Sequence, residues 1–171
     1  NWPVIPVHTS LLPDGRVMSF GTRPDGTQTG LFEYDVWNSL DGLGAESHLT
    51  LPNTTSVDLF CSSQLVLPMT GDVIFSGGDI YSEAIGQSIN VGNADATLFR
   101  AATNTLERAG TMHRPRWYGS AITLPNGETY IQGGAGGGDR AEVRGLDGAF
   151  RLLNGFQTND LDAAYPRVFA A

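Results

Sequence analysis

Three segments of this chain repeat one pattern, and that repeat limits the fold more than any other feature. "HTSLLPDGRVMSFG" from His8, "SQLVLPMTGDVIFSGG" from Ser63 and "GSAITLPNGETYIQGG" from Gly119 share one layout. Each runs as an apolar strand, Leu-Pro, a turn ending in Gly, a second apolar strand and a closing Gly or Gly-Gly. The turn glycines Gly15, Gly71 and Gly127 fall at equal steps of 56 residues. Asp14-Gly15 and Asn126-Gly127 predict tight hairpins with positive φ at both central positions. The middle copy has one extra turn residue. The stretches "LFEYDVWN", "ATLFRAATNTLERAG" and "AEVRGLDGAFRLL" predict the remaining strands, with Thr103-Asn104 as the turn in the second. A repeat of this length with four short strands is the pattern of a β-propeller blade. The expected blades span 1–57, 58–114 and 115–162. "AAYPRVFAA", in 163–171, reads as the opening strand of a fourth copy. Three blades and a stub fall short of the roughly four to eight that close a ring. The expectation is therefore an all-β partial propeller whose remaining blades lie beyond Ala171. A sandwich of unrelated hairpins is the alternative fold.

Composition agrees with many turns and much buried backbone. The 171 residues include 22 Gly and 9 Pro, and only 16% are charged. That profile favours an all-β protein. The net charge of −8, with no lysine and ten scattered arginines, disfavours nucleic acid and anionic membranes as partners. No apolar run reaches membrane-spanning length, and no signal peptide is present, so membrane insertion is not expected. A single cysteine argues against a disulfide scaffold and against a cysteine-based zinc site. Asn53-Thr54-Thr55 forms a glycosylation sequon.

That single cysteine, Cys61, gains meaning from the repeat. It stands seven residues before Pro68, and Tyr118 stands seven before Pro125. Both occupy the start of the first strand of their hairpins. First strands of a propeller run side by side around the central channel. Equal positions then share one level, which predicts a thiol beside a phenol. The ordinary role for a lone cysteine is a small buried apolar filler.

"DLFCSS" followed by "RPRWYGSAITLPNGETYIQGG" resembles the galactose oxidase and glyoxal oxidase family of copper radical oxidases. The resemblance implies a kelch-type propeller, seven-bladed in the family, of which this chain covers about three blades. It implies a thioether between the Cys61 sulfur and the Tyr118 ring, copper bound by Tyr118, and Phe60 lining the substrate pocket. Trp117 is a second candidate for shielding that pocket. A copper ion readily cycles through one electron, whereas oxidation of an alcohol or aldehyde removes two. A phenol made electron-rich by an ortho sulfur can hold the other, and its oxygen suits tetragonal Cu(II). In the family a second tyrosine and two histidines complete the site, and none can be matched here. His8, His48 and His113 are read as ordinary surface or loop-packing residues. Galactose oxidase stacks a tryptophan over the thioether, and Gly136 falls at that place.

Other features are weaker. "GGAGGGDR" lacks the lysine and helix of a phosphate loop. Asp58, Asp72 and Asp79 read as turn caps before a cation site. Arg114 and Arg116 read as solvated loop residues. The implied function is that of a secreted copper radical oxidase. It would oxidise a primary alcohol, sugar or aldehyde with O₂ and make H₂O₂, and this chain alone would be inactive. The alternative is a non-catalytic kelch-like propeller that binds carbohydrate or protein, with Cys61 as a core residue.

Overall fold

Strand follows strand as each hairpin folds back on the last. In this computed structural model, residues 2–155 and 164–170 are described. The end of the expected third unit, 156–162, and residue 163 lie outside them. Over the described residues the chain is all-β, with four antiparallel sheets. The first holds β1 (Ile5–Leu11), β2 (Val17–Thr22), β3 (Glu33–Trp37) and β4 (His48–Pro52) in chain order. The second holds β5 (Ser63–Val66), β6 (Val73–Ser76), β9 (Asp95–Arg100) and β10 (Thr105–Thr111). A small hairpin, β7 (Tyr81–Ser82) with β8 (Gln87–Ser88), is inserted between β6 and β9. The third holds β11 (Trp117–Thr123), β12 (Thr129–Ala135), β13 (Glu142–Arg144) and β14 (Phe150–Leu152).

The tight turns form where the repeat places them, by a different geometry. Gly15 and Gly127 have φ of 87° and 85°, but Asp14 and Asn126 are not left-handed. Leu12 N–H donates to Arg16 O and Gly15 N–H to Leu12 O, and Leu124, Glu128 and Gly127 repeat both bonds. This is a three-residue loop, a type I turn closed by a left-handed glycine. The Asp14 and Asn126 carboxyl or amide oxygens accept from the backbone N–H two residues on. Pro24-Asp25-Gly26 and Leu146-Asp147-Gly148 make the same turn. A Cβ on Gly15 would meet nothing within 4 Å, so only backbone strain opposes a side chain there. Gly15→Ala is expected to cost about 1–2 kcal/mol, and Gly15→Asn clearly less, because Asn tolerates the left-handed region. Urea unfolding of the two variants side by side measures the difference.

The core lies between sheets. Val73, Ile74 and Phe75 of β6 are all wholly buried. Alternate residues of a strand face opposite ways, so both faces of this sheet must be covered. Val73 and Phe75 join Met18, Phe20, Tyr34 and Val36 of the first sheet, with Phe99 and Leu106. Ile74 faces the other way, with Ala96 and Leu98, and meets Phe150 of the third sheet. The second sheet is thus packed between the other two, and β5 lies beside both β1 and β11.

Residues 164–170 contain no strand, contrary to the reading of "AAYPRVFAA" as an opening strand. Tyr165 N–H donates to Tyr118 O at 2.7 Å. Pro166 then has no N–H with which to extend a ladder. The Asn53 amide is engaged by Gly30 O, Val57 O and Thr55, so the sequon's acceptor nitrogen is used inside the fold.

Candidate functional site

Two loops deliver the thiol and the phenol. Asp58 is buried, and its Oδ1 accepts from Phe60 N–H while its Oδ2 accepts from Ser88. That turn bends "DLFC" so that Cys61 arrives just ahead of β5, two residues before the strand begins. Cys61 has φ 62° and is 3% exposed. On the other side Arg116 anchors the approach to β11. It is wholly buried, against the expectation of a solvated arginine, because the fold supplies partners for its charge. Its guanidinium donates to Gly133 O, Gly137 O and Arg140 O and pairs with buried Glu142 at 3.0 Å. The Glu142 carboxylate also accepts from His113 and Arg114 N–H. Arg114 itself is partly exposed and pairs with Asp139.

Tyr118 follows, second residue of β11, with φ 66°. Its N–H donates to Cys61 O at 2.9 Å. The Cys61 thiol and the Tyr118 and Tyr165 hydroxyls sit close enough to shift one another's proton affinity. The Tyr165 ring stands 5.1 Å from that of Tyr118, inclined at 60°, and Tyr165 has φ 50°. Left-handed backbone is rare for residues other than Gly, Asn and Asp, and it clusters at functional sites. Six such non-glycine residues occur in the described chain, and three of them, Cys61, Tyr118 and Tyr165, meet here.

All three line a cleft of about 560 Å³ with Phe60, His8 and Gln64. Burial pushes the Cys61 thiol up to about 11. Its hydrogen bond to Cys61, then burial, push Tyr118 up to about 12. Both groups are therefore protonated at neutral pH in the unlinked, metal-free chain. Phe60 lines the cleft and packs edge-on to His8. Trp117 packs instead against the Tyr118 ring, centroids 4.1 Å apart at 36°. Gly136 has φ 92° and lies against Pro115.

His8 is the residue that sequence reasoning set aside. It lies on β1, 8% exposed, stacked on Phe20 at 4.9 Å. Its Nε2 accepts from Cys61 N–H at 3.1 Å. The Gln64 amide lies 3.3 Å from Nδ1 and 2.8 Å from Ser10 Oγ. An Nε2 that accepts leaves the proton of a neutral ring on Nδ1, so the amide must turn its oxygen toward His8. The repeat held a signal for this residue. His8, Ser63 and Ser120 each stand five residues before the Pro of their copy, and all three line the cleft. His48 pairs with Asp35 at 2.7 Å, and His113 bonds Phe150 O, both away from the cleft.

Burial lowers His8 from 6.5 to about 4. Between those values the unfolded chain binds a proton that the folded chain does not. Stability is therefore full above about pH 6.5 and falls as pH drops toward 4, by about 3 kcal/mol from this one group. His8→Gln, which keeps an acceptor but cannot titrate, is expected to flatten that part of the curve. Melting midpoints of both proteins from pH 7 to 4 give the difference.

The remaining acidic candidates cap backbone. Asp72 binds Ala101 N–H and Arg100, and Asp79 Oδ1 accepts from Ile80 and Val91 N–H. Among the described residues no group of three His, Cys, Asp or Glu side chains is arranged to hold a metal. His8 Nε2 spends its lone pair on Cys61 N–H. The donors present fit one corner of a copper site, the Tyr118 oxygen, and do not complete one.

The fold and cleft define an all-β chain with a buried thiol and a partly exposed phenol on one cleft. No protein-family model matches the chain, and no curated protein matches it in sequence. Among solved structures it is similar to a fungal alcohol oxidase of the AA5 family, described as catalytically diverse and solved in complex with copper. The TM-score is 0.66 at 20% identity, over 88% of this chain and 30% of that one. The likeness is one of fold, and the chain spans about 30% of the length of that protein.

Proposed function

We propose that this chain forms three blades of a kelch-type propeller, within 1–57, 58–114 and 115–162, and carries the Cys61–Tyr118 half of a copper radical oxidase. The observation behind this reading is the convergence of Cys61, Tyr118 and Tyr165, all left-handed, on one cleft. A core filler needs neither a strained backbone nor two phenols in the same cleft. The fold likeness to a copper alcohol oxidase supports the same reading.

The thioether forms by loss of the Cys61 S–H and one ring C–H of Tyr118. A C–S bond replaces them, and two electrons and two protons reduce O₂ to H₂O₂. Copper, when bound, supplies one-electron steps and lowers the phenol's pKa. Tyr118 contributes one oxygen ligand and the redox-active ring, and Cys61 tunes that ring. Phe60 gives the cleft an apolar wall for a primary alcohol, sugar or aldehyde. The other copper ligands come from the rest of the whole protein, which on this reading works outside the cell.

Full-length protein made without copper and then given copper and air tests this. Intact mass should fall by two hydrogens, and peptide mapping should join the Cys61 and Tyr118 peptides through a bond that reductants leave intact. An active, copper-loaded protein whose Cys61 remains free to alkylating agents would sink the reading.

A further inference from the structure

We propose that His8 is a positioning residue for the Cys61–Tyr118 pair, its ring nitrogen holding the Cys61 peptide in the left-handed turn that carries the sulfur into the cleft. This rests on the reading of the pair given above. The bond that carries it runs from Cys61 N–H to His8 Nε2, 3.1 Å long and 53 residues apart in sequence. Cys61 is held from the other side too, where Tyr118 N–H donates to Cys61 O at 2.9 Å. His8 belongs to β1 and Tyr118 to β11, so two different sheets grip one residue ahead of β5. The φ of 62° lies between these two ties.

The backbone of Cys61 decides where its Cβ points, and so where the sulfur can go. A left-handed cysteine is strained, and the extended and right-handed regions lie lower. Without an acceptor at His8, the buried N–H gains by turning toward another partner, and the strain favours the same move. The sulfur then leaves the position from which it can meet the Tyr118 ring, and proximity is lost. The surroundings fix His8 for this task. Its ring is 8% exposed, stacked on Phe20 at 4.9 Å and edge-on to Phe60 at 5.2 Å. The Gln64 amide lies 3.3 Å from Nδ1 and is itself bonded to Ser10. His8 takes no part in the new C–S bond, and no electron or proton need pass through it.

The test uses copper-free full-length protein, with His8→Gln and His8→Phe variants, each mixed with copper in air and sampled over time. The readout is the fraction of Cys61 joined to Tyr118 by peptide mass, which does not depend on turnover. The Gln oxygen stands as many bonds from Cα as Nε2 does, so it can accept from Cys61 N–H. Phe keeps a ring against Phe20 and cannot accept. Linking in His8→Phe is expected to slow about fivefold or more, the rate factor of one hydrogen bond, while His8→Gln stays within about twofold of wild type. If His8→Phe links as fast as wild type, the role of His8 is refuted while the pair stands. Equal slowing in His8→Gln and His8→Phe also refutes it, because the acceptor would then not be what matters. If wild type itself never links, the reading of the pair falls and this inference with it. Should His8→Phe fail to fold, His8→Met replaces it, since Met matches Gln in length and lacks the amide oxygen. Slower linking in His8→Met than in His8→Gln supports the proposal, and equal rates overturn it.

Discussion

On the proposed reading, Cys61→Ser in the full-length, copper-loaded protein is expected to lose substrate oxidation by on the order of 10³-fold or more, while the fold survives. The size follows from the residue's place in the chemistry. Removing one member of a group that acts as a unit costs nearly as much as removing all of it. Serine cannot form the thioether, so Tyr118 stays an ordinary phenol and oxidises at a higher potential. The packing cost is small, because serine nearly matches cysteine in shape and two phenols line the same cleft. Tyr118→Phe should match it in activity, since the ring would keep its contact with Trp117 but lose the oxygen. Oxygen consumption measures the first effect, and the visible absorption of the tyrosyl radical should vanish in both variants. Retention of even a tenth of the activity by Cys61→Ser would show that the sulfur is incidental.

The second large effect concerns stability. Glu142→Ala leaves the Arg116 guanidinium charged and wholly buried without its carboxylate. Breaking a buried pair by removing one partner costs about 3–5 kcal/mol. Three backbone carbonyls still hold Arg116, which keeps the loss toward the lower end. Two further bonds go with the carboxylate, from His113 and Arg114 N–H, so the segment ahead of β11 loosens as well. Glu142→Gln keeps an acceptor and should lose about half as much. Urea unfolding of the three proteins measures both steps. A loss below about 1 kcal/mol for Glu142→Ala would mean that the carbonyls alone neutralise the guanidinium.

Much of the architecture was legible because the signals were local and repeated. Leu-Pro followed by a turn and Gly marks the hairpin tips, and the apolar runs on either side mark the strands. The turn type was misread at Asp14 and Asn126, because a dipeptide does not reveal whether two or three residues span the loop. The meeting of Cys61 with Tyr118 was legible from equal offsets before Pro68 and Pro125. His8 was not found, because a search for metal-ligand spacing passes over a histidine whose partner is a backbone N–H 53 residues away. Arg116 looked like a surface residue, since nothing in "HRPRWY" announces Glu142 or the three carbonyls that enclose it. Tyr165 was assigned to a strand that does not form.

The left-handed backbone at Cys61, Tyr118 and Tyr165 has a consequence for how these positions tolerate selection. Glycine or asparagine would sit there with less strain than cysteine or tyrosine does. A screen that rewarded relief of backbone strain alone would therefore drift toward those residues and erase the thiol and both phenols. If the proposed chemistry is what keeps the three residues in place, these positions report among related chains whether the demand for it still exists.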